Sequence, residues 1–230
     1  MDLKRQQQLC LDGIRTSLAI ADIASSRLHD LLLTYSEAHG RGERTARLDD
    51  AVLLAAWSLV DVANRLRLVV DRTPGLKKNA GVKSFLKAMG GVEALRHYVQ
   101  HLDTELATLA ESGWPIWGSL TWTHKPTETH DTNEVTVIVL IPGSFARSDG
   151  YPVVNPAGKT LRMPIDHISL TAAGTTVNLS EVAHACGVFG RRLEAAVETA
   201  EETEIEQSSG EVSRILRIAL DLDRTNPISA

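Results

Sequence analysis

The chain has 230 residues and a mass of 25.0 kDa, enough for one large or two small domains. Its 43% apolar and 23% charged residues sit near globular averages and exclude collagen-like, coiled-coil and wholly disordered classes. A formal net charge of −5 argues against wholesale wrapping of nucleic acid. The longest apolar run, Ala51 to Trp57, has seven residues, far below the roughly 18 that span a bilayer. Behind Lys4 and Arg5 there is no apolar stretch, so no secretory signal is expected and the cytoplasm is the expected location. In that reducing compartment Cys10 and Cys186 are expected to be buried thiols.

In chain order, apolar residues at 11, 14, 18, 28, 32 and 35 follow helical spacing up to Gly40, which predicts a long first helix. Leu48, Val52, Ala55, Leu59, Val62, Leu66 and Val70 predict a second, ended by Pro74-Gly75. Val82 to Met89 predicts a short helix closed by Gly90-Gly91. After it, Val92, Leu95, Val99, Leu102, Leu106 and Leu109 step by three and four, the cleanest periodicity in the chain and the pattern of one continuous helix. Long helices with single apolar stripes and short breaks predict an up-and-down bundle over 1–113.

At Ser112-Gly113-Trp114-Pro115 the pattern changes to β. Strands are predicted over Gly118 to His124, Glu134 to Ile141, Val153-Val154, Thr160 to Met163, His167 to Leu170 and Thr175 to Asn178. Asn178-x-x-Glu181 and Ser208-x-x-Glu211 resemble capping boxes for helices to about Glu204 and Leu222. The predicted fold class is therefore α+β: an N-terminal up-and-down helical bundle, 1–113, then a small antiparallel sheet with C-terminal helices, 114–230. Trp57 is expected in the core. Trp114, Trp117 and Trp122 crowd the junction, where they read as packing sheet against bundle or as a stacking surface.

Charge is unevenly spread. Residues 1–113 carry 15 Lys and Arg against 14 Asp and Glu, whereas 114–230 carry 9 against 15. Arg65, Arg67, Arg72, Lys77, Lys78, Lys83 and Lys87 lead toward Arg96 and are met by only Asp71 and Glu93. This stretch is a solvated face or a phosphate-contacting, RNA-binding surface. The acidic C-terminal half is a candidate surface for a protein partner.

Nucleotide-binding, hydrolase-elbow and zinc signatures are absent from the sequence, and no cofactor or metal is expected. His124, His130 and Asp131 read as a polar hairpin loop. The pattern that carries chemistry is Leu95-Arg96-His97-Tyr98-Val99-Gln100-His101-Leu102-Asp103. At about 100° per residue, His97, Gln100 and His101 turn away from the apolar stripe, and the Arg96 guanidinium can reach His101 or a facing helix. An imidazole can relay protons at a ribose hydroxyl or leaving oxygen, and a guanidinium can hold phosphate on two nitrogens. A second Arg-x-x-x-x-His match, Arg162 to His167, contains Pro164 and cannot be helical. His97 and His101 also share the i, i+4 spacing of two metal ligands, with no third ligand nearby in sequence.

Arg96, a polar residue and His101 at this spacing resemble the HEPN superfamily of helical-bundle proteins, over roughly residues 1–113. The resemblance implies that Arg96 and His101 are catalytic, supported by His97, Gln100 and Asp61, the last as the acidic residue that many members place beside the pair. It implies a metal-independent endoribonuclease or RNA-binding effector, often a homodimer, in a toxin or antiphage defence setting. Asp103 stands where some toxin members carry a tyrosine modified by a partner nucleotidyltransferase, a departure from that subset. The alternative is a non-catalytic interaction or scaffold protein that dimerises through the bundle's stripe.

Overall fold

A computed structural model of the protein describes residues 3–126, 135–143, 150–153 and 161–203. In order the elements are α1 (Leu3–Gly40), α2 (Ala46–Arg72), a 3₁₀ turn (Leu76–Lys78), α3 (Ala80–Ala88), α4 (Gly90–Gln100), α5 (Leu102–Ser112), β1 (Ser119–His124), β2 (Thr136–Leu140), β3 (Ile165–Ala172), β4 (Thr175–Asn178) and α6 (Leu179–Thr203). The class is α+β: an N-terminal helical region, a four-stranded antiparallel sheet and a helix after it. The helix expected after Ser208, and the loop residues His130 and Asp131, lie outside the described residues.

The apolar stripes build the core as their spacing requires. Ile14, Leu28 and Leu32 of α1 and Val52, Ala55, Leu59, Val62, Leu66 and Val70 of α2 are all buried. The sheet order is β2-β1-β3-β4, with Leu120 paired to Leu140 and Leu170, and Leu170 to Val177. These residues point to the helical side and are buried. Trp122, fully buried, meets Tyr35 of α1 edge-on at 5.3 Å and donates from Nε1 to Ser36 Oγ at 2.9 Å. Sheet and bundle therefore touch through a tryptophan whose polar atom is satisfied. The opposite sheet face carries the hydroxyls of Ser119, Thr121, Thr123, Ser169 and Thr171, also buried.

Several sequence expectations change. The stripe over 92–109 does not run on one helix: it breaks at His101 (φ −113, ψ 23). The His101 carbonyl accepts from the amides of Thr104 and Glu105 and, at 2.8 Å, from the Thr104 hydroxyl, so it starts a new helix. Val92, Leu95 and Leu109 are buried inside this chain, Val99 and Leu102 are half-buried, and Leu106 is 46% exposed. Val153 and residues 161–163 are not in strands. Instead, Asp166 holds the chain entering β3, its carboxylate accepting from the Arg162 amide at 2.8 Å and the His167 amide at 2.6 Å. His167 (φ 51) lies at a register shift opposite Trp122, a bulge that re-aims the strand.

The Asn178 cap is present, accepting from the Glu181 amide at 3.0 Å. Cys186 is buried and Cys10 half-buried, both as free thiols. Among the described residues no helix is long and apolar enough to cross a membrane.

Candidate functional site

Helix α2 lays Asp61 on its outer face because 61 falls between the buried positions 59, 60, 62 and 63. Helix α4 packs beside it through Val92 and Leu95, which turns Arg96 toward α2. The Arg96 Nε then lies 2.9 Å from Asp61 Oδ1, with 29% of the Arg96 side chain exposed. The other oxygen, Oδ2, accepts from Arg65 Nε at 2.7 Å, one turn along α2. One carboxylate thus fastens two guanidinium groups by Nε, leaving their terminal nitrogens without a hydrogen-bond partner among the described residues. A guanidinium fixed in this way is preorganised for an oxyanion.

His97 and His101 form a second pair on the solvent side, their ring centroids 4.3 Å apart and tilted by 50°. Both are exposed, as is Gln100. Of the alternatives open to Arg96, the side chain takes the facing helix: no contact joins it to His101. The five candidate residues therefore form two adjacent pairs, Asp61 with Arg96 and His97 with His101, and a separate Gln100. Among the described residues no cluster of three or more His, Cys, Asp or Glu side chains is arranged to hold a metal ion.

The basic stretch is less uniform than its sequence. Arg67 is only 15% exposed and pairs with Glu93 at 2.8 Å. This pair ties α2 to α4. Asp71 holds Lys77 at 3.0 Å and lies 3.9 Å from Arg72. Lys78, Lys83 and Lys87 are exposed and have no ion-pair partner among the described residues. Asn79 orders this segment as the cap of α3, its Oδ1 accepting from the Gly81 amide at 2.8 Å.

Arg65, one of the basic residues expected to contact RNA, is also the partner of Asp61, a link that the spacing of four on one helix signals. Trp57, expected in the core, packs against it half-buried and donates from Nε1 to the Trp117 carbonyl at 3.1 Å, a bond that its apolar neighbours in sequence do not signal. The junction tryptophans divide: Trp122 is core, Trp114 packs on the core and against Tyr151, and Trp117 is 52% exposed.

Two further histidines line clefts elsewhere. His29, with Asp30, Arg162, Asp166 and His184, borders a cleft of about 380 Å³ between α1, β3 and α6. Its pKa is lowered by burial, against the opposing pull of Asp166 and Asp30. His124 borders a cleft of about 540 Å³ with Glu37 and His39, and its pKa is likewise lowered by burial, with Glu37 opposing.

Comparison of the chain with protein-family models, with curated proteins and with solved structures finds no match.

Proposed function

We propose that the protein is a metal-independent endoribonuclease or RNA-binding effector of HEPN-like type, acting through the α2–α4 surface. The observation that carries this reading is the Asp61 carboxylate holding Arg96 and Arg65 by their Nε atoms beside two paired, exposed imidazoles. Two guanidinium groups against one carboxylate leave net positive charge where a phosphate would lie. His101 takes the proton of a ribose 2′-hydroxyl, the 2′-oxygen attacks the neighbouring phosphorus, and the 5′-oxygen leaves with a proton from His97. The bond broken is P–O5′, and the products are a 2′,3′-cyclic phosphate and a 5′-hydroxyl end. Arg96 holds the non-bridging oxygens as their charge grows, and Gln100 and Arg65 add polar contacts. Imidazole suits both proton steps because it exchanges a proton near neutral pH.

The same proposal extends to Lys78, Lys83 and Lys87 as further backbone contacts, to a homodimer formed through the bundle, and to a cytoplasmic toxin or antiphage defence setting. A protein partner on the acidic C-terminal half belongs with it.

The test is cleavage of RNA by the purified protein in excess EDTA, comparing wild type with Arg96→Ala and His101→Ala after matching their unfolding midpoints. Cyclic phosphate ends that vanish in both variants support the nuclease. Binding that weakens steeply with salt and needs Arg96, without cleavage, supports the effector form. RNA that is neither cut nor bound overturns both.

A further inference from the structure

The loop over residues 113–118 is fastened at two points to the helices that carry the Asp61–Arg96 pair. Trp57 of α2 donates to the Trp117 carbonyl at 3.1 Å, and the Tyr98 hydroxyl of α4 donates to the Ile116 carbonyl at 2.7 Å. Gly118 (φ 73) closes the turn, its amide donating to the Pro115 carbonyl at 2.9 Å. Held this way, the Trp117 indole stands 52% exposed. With Asp50, Leu53, Leu54 and Trp57 it lines a cleft of about 300 Å³. Positions 50, 54, 57, 61 and 65 follow one face of α2 at helical spacing, and Trp57 is one turn, about 6 Å of rise, from Asp61. An aromatic cleft and a pair of fastened cations are thus continuous on one surface.

Resting on the RNA reading above, we propose that this cleft is a nucleobase subsite. An unpaired base of single-stranded RNA stacks on Trp117 and against Leu54 while a phosphate further along the same strand lies on Arg65 and Arg96. The indole offers a π-face that any base can use, and the charge complementarity lies at the phosphate end. Selectivity comes from Asp50, which is exposed at the other end of the same helix face. An ionised carboxylate only accepts hydrogen bonds. Guanine presents two adjacent donors, N1–H and the 2-amino group, and can satisfy both carboxylate oxygens. Adenine and cytosine present one amino group beside an acceptor. Uracil presents one N–H flanked by two carbonyls, which repel the carboxylate. The subsite therefore favours guanine and disfavours uracil.

The probe is a set of short 2′-O-methyl uridine oligonucleotides with one central guanine, adenine or cytosine, or none; the blocked 2′ position prevents cleavage. Binding is read by fluorescence anisotropy for wild type, Trp117→Ala, Trp117→Phe, Asp50→Asn and Arg96→Ala. The Trp57 bond runs to a main-chain carbonyl, so Trp117→Ala retains it, and matched circular dichroism and unfolding midpoints control for the fold. The expected result is tightest binding of the guanine oligonucleotide, a loss of about 10-fold in Trp117→Ala, retention in Trp117→Phe, and a guanine-to-uracil ratio near one in Asp50→Asn. Unchanged binding in Trp117→Ala, with loss in Arg96→Ala, overturns the subsite and leaves the RNA reading standing. No binding by the wild type overturns both. A wild-type dimer that Trp117→Ala converts to monomer in sedimentation gives the cleft to a second copy and overturns the nucleobase assignment.

Discussion

Asp61 Oδ1 and Arg96 Nε lie 2.9 Å apart across the contact of α2 with α4, and the same carboxylate also fastens Arg65. Asp61→Asn removes a charge that orients two cations while keeping the side chain's shape. The side chains are 36% exposed for Asp61 and 70% for Arg65, so the stability cost should be small, about 0.5–1 kcal/mol. RNA cleavage should fall by at least about 10-fold, while affinity for RNA holds or rises, because the net charge becomes more positive. Parallel cleavage and binding assays check this. A matched fall in both would show that Asp61 holds the cations for RNA binding itself and not for the chemical step.

Ser36→Ala leaves the indole N–H of Trp122 buried without an acceptor, since its only described partner is Ser36 Oγ at 2.9 Å. The expected cost is about 1–3 kcal/mol, read from urea unfolding followed by tryptophan fluorescence. A change below about 0.5 kcal/mol would mean that Trp122 finds another acceptor.

Gly118 has φ 73, and a Cβ there would fall on the carbonyl oxygen of Thr171. Gly118→Ala combines left-handed strain with displacement of β3 against β1, and should destabilise by about 2 kcal/mol or more. At Gly174, where φ is 79 but nothing lies near a Cβ, the same substitution should cost only the strain, about 1 kcal/mol. Melting temperatures of the two variants, measured side by side, test the difference.

Burial holds the His29 and His124 imidazoles below the ordinary value of 6.5. In the unfolded chain they take up protons first as pH falls. Their contribution is therefore present in full above about pH 6.5 and is lost as pH falls from there toward the folded-state values. Asp30 and Asp166 at His29, and Glu37 at His124, oppose the shifts and limit the loss; Arg162 and His184 also border the His29 cleft. Unfolding free energy should be lower at pH 5.5 than at pH 7.5, and the double variant His29→Gln, His124→Gln should flatten the difference. An unaltered slope in that variant would place the dependence in other groups.

The helix stripes were legible because burial obeys the period: each of Val52, Ala55, Leu59, Val62, Leu66 and Val70 lies in the core. The break at His101 was not, since a helix that restarts after one residue keeps its steps of three and four, and the cause is the Thr104 hydroxyl and two amides converging on one carbonyl. Strand β3 was half legible. His167 to Leu170 alternates, but its start depends on Asp166 binding main-chain amides from both sides, which period 2 does not encode. At the site, Asp61 beside Arg96 was readable only through the family resemblance. The choice Arg96 makes between His101 and α2 depends on how the helices pack, which no single helix's pattern contains.

Helix α6 comes back from the sheet to lie on the first three helices. Phe189 stacks on Phe85 at 4.5 Å, and Glu194 accepts from Arg15 on both oxygens, at 3.0 and 2.8 Å. The latter pair is 179 positions apart in the chain. Closing so long a loop has to precede its reward, which slows folding relative to a bundle built from neighbours. During synthesis the apolar faces of α1 to α3 emerge well before their last partner, so the nascent chain carries an unfinished core and is open to chaperone capture or aggregation until residue 189 and beyond have left the ribosome.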